Sequence, residues 1–304
     1  MRNRFAFTML ELVFVIVIMG IIGKFGVEFL AQAYNGFIYS KINNELQSNS
    51  GMALESIGSK LQFRIKDSVI GRVESNNSFE ALGSAGGDEY NILEWVGSDV
   101  DGYRGNSLPF WSGIIDLDES NKTILVSPET NTTALNDLIE TLSHNSGTDI
   151  NDSAIYLIGS DSNIHQYGWT DENGNHPLTD HNSSVMHPIK SVSGHIDQFE
   201  SNITGDDFSD IDIYEYYQFS WTAYAVALED YNDSGNGTGN LYLYYDYQPW
   251  HGEDFNGTES SKSLIMKDVS TFRFKSVGSI VKIQVCVKSD LIKDYSLCKE
   301  KTIF

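Results

Sequence analysis

Residues 7–30, FTMLELVFVIVIMGIIGKFGVEFL, decide how the rest of this chain can be arranged. From Leu12 to Gly23 no side chain is polar, and the nineteen residues from Phe7 to Phe25 are interrupted only by Thr8, Glu11 and Lys24. A helix of that length, at ~1.5 Å per residue, reaches ~28 Å, about the hydrocarbon thickness of a bilayer. An ordinary secretory signal places its small-residue cleavage site after the apolar core. Here the basic stretch that ends in a small residue, MRNRFA at 1–6, lies before the core, so the apolar run is expected to be retained. Arg2 and Arg4 are expected to hold the amino terminus on the cytoplasmic side, which puts everything beyond about Leu30 in the opposite compartment.

Glu11 needs a reason, because a charge inside a spanning helix costs ~2.5–3.5 kcal/mol on insertion scales. Near the helix start the carboxylate can reach headgroups and water. Alternatively it can pair with a cation on a neighbouring subunit, and a cut after Ala6 would supply one, the new α-amino group of Phe7.

The run Ala6-Phe7-Thr8-Met9-Leu10-Glu11 followed by unbroken aliphatics resembles the prepilin-type leader and methylation segment of type IV pilins and type II secretion pseudopilins. The resemblance covers roughly residues 1–30. It implies cleavage between Ala6 and Phe7 by a prepilin peptidase, N-methylation of Phe7, and docking of Glu11 against other pilins or pseudopilins in a fibre. It also implies a single-pass protein of the bacterial inner membrane, with a periplasmic domain that later joins the pilus or pseudopilus. Two positions differ from the usual pattern: Ala6 stands where the family mostly has Gly, and the helix-breaking Pro of major pilins is absent, with Glu28 near its place. The second difference points to a minor subunit, and the structural reading expects such a subunit at or near the tip of the fibre.

The remaining sequence bounds the domain. The 304 residues carry 40% apolar side chains and a net charge of −22, which becomes −24 once Arg2 and Arg4 leave with residues 1–6. Such a chain buries a real core, and nucleic acid is not an expected partner. No Pro precedes Pro109, so a helix can run from Phe7 to about Lys66. Leu30, Tyr34, Ile38, Ile42 and Leu46, then Leu54, Ile57, Leu61 and Ile65, give it one apolar face to set against a globular domain, with SNSG at 48–51 as the expected break. After Gly71 the chain turns into short β-rich pieces between Asp, Asn, Ser and Gly. Near the C-terminus Val281, Ile283, Val285 and Val287 alternate with Lys282, Gln284, Cys286 and Lys288, the pattern of a sheet with one buried face. The fold class read from this is α+β, a long N-terminal helix packed on an antiparallel sheet. Its expected parts are a leader at 1–6, an assembly helix at 7–30, the periplasmic half of the stalk at 31–70, a polar β-rich elaboration at 71–210 and the sheet module at 211–304.

Cys286 and Cys298, twelve apart, are expected to form a disulfide in an oxidising compartment, and the absence of CxxC argues against redox catalysis. His176, His181, His187 and His195 crowd one stretch, but their spacing matches neither HExxH nor a zinc knuckle, so no metal or cofactor is expected. Asp230, Asn232 and Ser234 open like a calcium loop, yet Leu241 stands where its bidentate Glu belongs. No GxSxG, P-loop or dinucleotide fingerprint occurs, and no enzymatic activity is expected. Tyr214, Tyr216, Tyr242, Tyr244, Tyr247 and Trp250 read either as cross-strand packing or as the face of an adhesin displayed on the same stalk, the alternative to a structural subunit.

Nine Asn-x-Ser/Thr triplets occur, at Asn76, Asn121, Asn131, Asn151, Asn182, Asn202, Asn232, Asn236 and Asn256, none with a central Pro. All but Asn236 have an acid two residues earlier, which resembles the extended D/E-x-N-x-S/T acceptor of bacterial periplasmic oligosaccharyltransferases. N-glycosylation at those eight is therefore expected, with such a transferase as a partner.

Overall fold

The computed structural model describes residues 8–87, 89–143, 148–160, 162–292 and 295–304. The chain divides into two compact units, residues 1–48 and 49–304. Helix α1, Met9–Leu61, opens in the first and closes in the second. It continues through 48–51, where Ser and Gly had suggested a break. The glycines there serve packing: a side chain at Gly51 would meet Lys299 Nζ at 3.2 Å, and one at Gly58 would meet the Lys301 stem at 2.9 Å. The helix stops at Leu61, short of the expected Lys66, because Arg64 turns back onto its end. Arg64 Nη1 donates to the carbonyl of Leu61 at 2.8 Å, satisfying one of the carbonyls a helix end leaves open.

The second unit is built on an antiparallel sheet of eight strands. In chain order they are β1 (Ile70–Arg72), β2 (Phe79–Ala81) and β3 (Ile92–Val96), then, after an excursion, five more. The excursion contains α2 (Val100–Arg104), β4 (Ile124–Val126), α3 (Thr132–Leu142), β5 (Ala154–Leu157), β6 (Met186–Ser191), β7 (Gln198–Ser201) and β8 (Tyr217–Ser220). The chain then returns through β9 (Ala223–Glu229), β10 (Gly239–Tyr247), β11 (Ser261–Val277), β12 (Ile280–Lys288) and β13 (Ser296–Ile303). The sheet order is β13-β12-β11-β10-β9-β3-β1-β2, while β4-β7-β6-β5-β8 form a second sheet of five. The elaboration is therefore shifted along the chain from the 71–210 suggested by composition, since β8, at 217–220, still belongs to the five-stranded sheet. Residues 70–96 pair into the main sheet, because Ile92, Leu93, Trp95 and Val96 carry the apolar content that β9 needs as a neighbour.

The sheet is curled. Register shifts interrupt the pairing of β10 and β11 at Gly239/Leu241, Leu241/Tyr242, Tyr244/Tyr247 and Val269/Thr271, the irregularity that bends a strand and increases its twist. One face receives the end of α1: Ala53, Leu54, Ile57 and Leu61 are buried, Lys60 lies over the Tyr224 ring, and Glu55 pairs with Lys301. Leu30 and Tyr34, expected on that apolar face, are instead exposed. The opposite face sets small Ala223, Ala225 and Ala227 against large Tyr167, Trp169, Tyr244 and Trp250 in one core. A second core fills the five-stranded sheet around Trp111, Leu135, Ile139, Phe199 and Phe219. In β12 the expected alternation holds except at one position: Val281, Ile283, Val285 and Val287 are buried and Lys282, Gln284 and Lys288 are not, but Cys286, expected on the open face, is buried as well, where it is bonded to Cys298.

Candidate functional site

Every residue from 8 to 37 is exposed, although residues 12–23 are entirely apolar. α1 is the one helix among the described residues that is long and apolar enough to cross a membrane, and its apolar window contains no buried residue. An unpartnered apolar surface of that extent marks a membrane or subunit interface.

The start of the helix has its own chemistry. Thr8 N and Oγ1 donate to Glu11 Oε2 at 3.1 and 3.0 Å, and Glu11 N donates to Thr8 Oγ1 at 3.3 Å. This is a capping box, in which two otherwise orphaned backbone donors are satisfied reciprocally. The sequence carries this signal as Thr8-x-x-Glu11, within an otherwise apolar run. Glu11 thus closes its own helix with Oε2, and among the described residues Oε1 accepts no hydrogen bond. Further along, Lys24 and Glu28 form an i, i+4 pair at 3.9 Å that joins two of the three charges of residues 7–30. Ala6 and Phe7, the expected cleavage and methylation residues, lie outside the described residues.

Cys286 and Cys298 are disulfide-bonded with an S–S distance of 2.06 Å and stand opposite each other in the ladder of β12 and β13. The histidines separate. His181 and His187 are buried with Nδ1 atoms 3.2 Å apart, and burial lowers their pKa values to about 4 and about 3. His176 pairs with Asp171 at 2.9 Å, and His195 is exposed. Among the described residues no three His, Cys, Asp or Glu converge as metal ligands. Of the six aromatics read as a candidate binding face, Tyr244, Tyr247 and Trp250 are buried, Tyr214 and Tyr242 pack against cores, and Tyr216 alone is exposed. A groove of about 790 Å3 beside β11 and β12 is lined by Tyr90, Tyr231, Arg273 and Lys275, and its carboxylate Glu300 is paired with Lys282 at 3.3 Å. Asp230, Asn232 and Ser234 lie in the loop between β9 and β10, where Asp230 Oδ2 accepts from Asn240 at 3.0 Å.

The eight acid-preceded acceptors divide in two. Asn76, Asn121, Asn182, Asn232 and Asn256 are exposed, whereas Asn131, Asn151 and Asn202 are half-buried. Comparison with protein-family models, with curated proteins and with solved structures finds no match to this chain.

Proposed function

We propose that this chain is a minor pilin or pseudopilin, a structural subunit that enters a type IV pilus or type II secretion pseudopilus through its N-terminal helix. What carries this reading is an apolar helix, exposed from residue 8 to residue 37, whose start bears Glu11 in register behind Ala6 and Phe7. In the membrane, acyl chains cover that surface; in the fibre, the same surface on neighbouring subunits replaces them, so apolar area is never left to water. Cleavage after Ala6 would free the α-amino group of Phe7, and Glu11 of an adjacent subunit is the carboxylate to receive it. That pairing takes place in a low dielectric, which strengthens the attraction and penalises any mismatch of one charge without the other. The loss of MRNRFA removes the two arginines that anchor the cytoplasmic end.

Mass spectrometry of the N-terminal peptide from sheared fibres tests the processing: it should begin at Phe7 with a methylated amine. Met1, or a start beyond Leu30, in assembled material would sink the proposal. A pair of variants separates docking from capping. Thr8→Ala opens the capping box, at a cost of ~1 kcal/mol in helix stability, but keeps the carboxylate, so fibres should still incorporate it. Glu11→Gln, which keeps the size but removes the charge, should accumulate in the membrane fraction and be missing from fibres.

A further inference from the structure

The acid that precedes eight of the nine acceptor triplets has no common structural task. Glu74 accepts from Asn91 at 2.9 Å, Asp180 from the backbone of Ser183 at 2.7 Å, and Asp230 from Asn240 at 3.0 Å. Glu200 faces Lys190 at 3.6 Å, Asp254 is half-buried within the field of Arg72, and Glu119 and Glu129 are exposed. Only Asp149 touches its own asparagine, accepting from the backbone N of Asn151 at 2.6 Å. Turn chemistry explains Asp, Asn, Ser and Thr in loops but not an acid at one fixed offset in eight different settings. With 42 acidic residues among 304, chance gives about one such acid in nine triplets. The offset is therefore read by something outside the fold.

The fold also sorts the acceptors. Asn131 caps α3, with Oδ1 accepting from Ala134 N at 3.0 Å. Asn151 and Asn202 hold each other: the amide nitrogen of Asn202 donates to the Asn151 carbonyl at 2.5 Å, and Asn151 Oδ1 accepts from Ser191 N at 3.3 Å. Ser153, the hydroxyl partner of Asn151, is fully buried. The other five are exposed in turns. At Asn76 and Asn121 the side-chain oxygen accepts from the hydroxyl two residues on, at 2.8 and 2.7 Å, which leaves the amide nitrogen facing solvent. Asn182, Asn232 and Asn256 are exposed, and their side chains make no hydrogen bond among the described residues.

We propose that the folded domain is N-glycosylated at Asn76, Asn121, Asn182, Asn232 and Asn256 and not at Asn131, Asn151, Asn202 or Asn236. The donor is an oligosaccharide on a polyprenyl diphosphate. The asparagine amide nitrogen bonds to the anomeric carbon as the bond from that carbon to the diphosphate oxygen breaks; one amide proton passes to solvent and polyprenyl diphosphate departs. The acid two residues earlier docks on a basic groove of the transferase. Asn121 and Asn232 fill first, since acid, asparagine and hydroxyl are all exposed at 119, 121 and 123 and at 230, 232 and 234. No triplet falls in α1, so the assembly surface stays bare.

The inference rests on the reading that puts the domain outside the cytoplasm, so the test reads topology separately. The full chain is expressed in a bacterium that carries an acid-requiring periplasmic oligosaccharyltransferase, its lipid-linked oligosaccharide and a control acceptor protein. Protease accessibility in spheroplasts reports topology. Glycopeptide mass spectrometry should find the five sites occupied and the four others bare. Glu119→Gln and Asp230→Asn, both at exposed positions, should each remove one step of the gel-mobility ladder, as should Asn121→Gln and Asn232→Gln. An accessible but unmodified chain beside a modified control overturns the glycosylation inference alone. A protected chain overturns the anchor reading and this inference together. Equal occupancy at Asn131, Asn151 and Asn202, or unchanged occupancy in Glu119→Gln, overturns the selection by fold and by acid.

Discussion

Arg72 and Glu94 form a buried ion pair in the domain. Both are almost fully buried, Arg72 Nε lies 2.7 Å from Glu94 Oε2, and the Tyr247 hydroxyl donates to Glu94 Oε1 at 2.9 Å. Burial pushes the Glu94 carboxyl up and the guanidinium pulls it back. Arg72 also donates to the carbonyls of Asn77 and Thr170, so one side chain joins β1 to the turn that follows it and to the loop after Trp169. A buried pair contributes little net stability against a well-packed apolar replacement, but breaking it strands a charge. Glu94→Gln should therefore lower the unfolding free energy by ~3–5 kcal/mol, while Arg72→Met with Glu94→Leu should recover most of it in denaturant titrations. A loss below ~1 kcal/mol for Glu94→Gln would mean that the pair is not ionised. His181 and His187 govern the acid limb in a similar way. Their folded pKa values, about 4 and about 3, lie below the ordinary 6.5 because burial penalises the charged rings, more than Asp206, Asp180 and Asp207 favour His181. The stability they contribute is complete above pH 6.5 and is lost as pH falls toward those lower values. Asp99, raised to about 6 by burial, runs the opposite way, since protonation below that pH relieves a penalised charge. Melting temperature alone mixes these groups, so the imidazole proton resonances are the cleaner measurement. Neither ring should titrate at the ordinary value of 6.5, and a midpoint there for either would mean that the pair is solvated.

Among the elements, β13 depends most on a covalent bond. It is an edge strand whose sheet neighbour is β12, and Ile303 is its one buried residue. The Cys286–Cys298 link closes a loop of residues 287–297, for which the chain-entropy model gives ~3 kcal/mol. Replacing both cysteines by Ala should cost about that much. It should also raise amide exchange across β13 well before β5 or β6 respond; uniform exchange would show that the strand is held by packing alone. The same strand shows where sequence reading stops. The alternation in β12 is legible because four of its five buried positions, all but Cys286, are Val or Ile, whereas in β13 the positions facing α1 are Lys299 and Lys301. Their flexible stems lie over Gly51 and Gly58, so two apparent helix breakers and two apparent surface lysines are one interface, invisible until both are placed. β6 is not legible in the sequence because Pro188 and His187 interrupt its apolar pattern, though the strand pairs with β5. The acceptor triplets were fully legible, being local. Which of them are reachable was not, since Asn151 and Asn202 are fifty-one residues apart and meet only in the fold.

At the scale of the molecule, the division between residues 48 and 49 separates a helix that buries nothing over residues 8–37 from a domain with cores of its own. The division does not fall at the end of α1. Residues 49–61 belong to the domain, and Leu54, Ile57 and Leu61 are buried there to within 4% of full coverage. Burying one such side chain is worth ~1.5–3 kcal/mol, so the three together supply on the order of 5–9 kcal/mol, comparable with the ~5–15 kcal/mol that holds a typical domain. Two truncations should therefore behave differently. A chain beginning at Asn49 loses the surface proposed for membrane and fibre but keeps this segment, and it should be soluble, with one cooperative thermal transition. A chain beginning at Gln62 uncovers the apolar face of the sheet, and it should aggregate or bind a hydrophobic dye without a transition. Cooperative unfolding of the shorter chain would mean that the sheet does not need the helix. Aggregation of the longer one would mean that residues 9–48 are part of the domain and not a separable stalk.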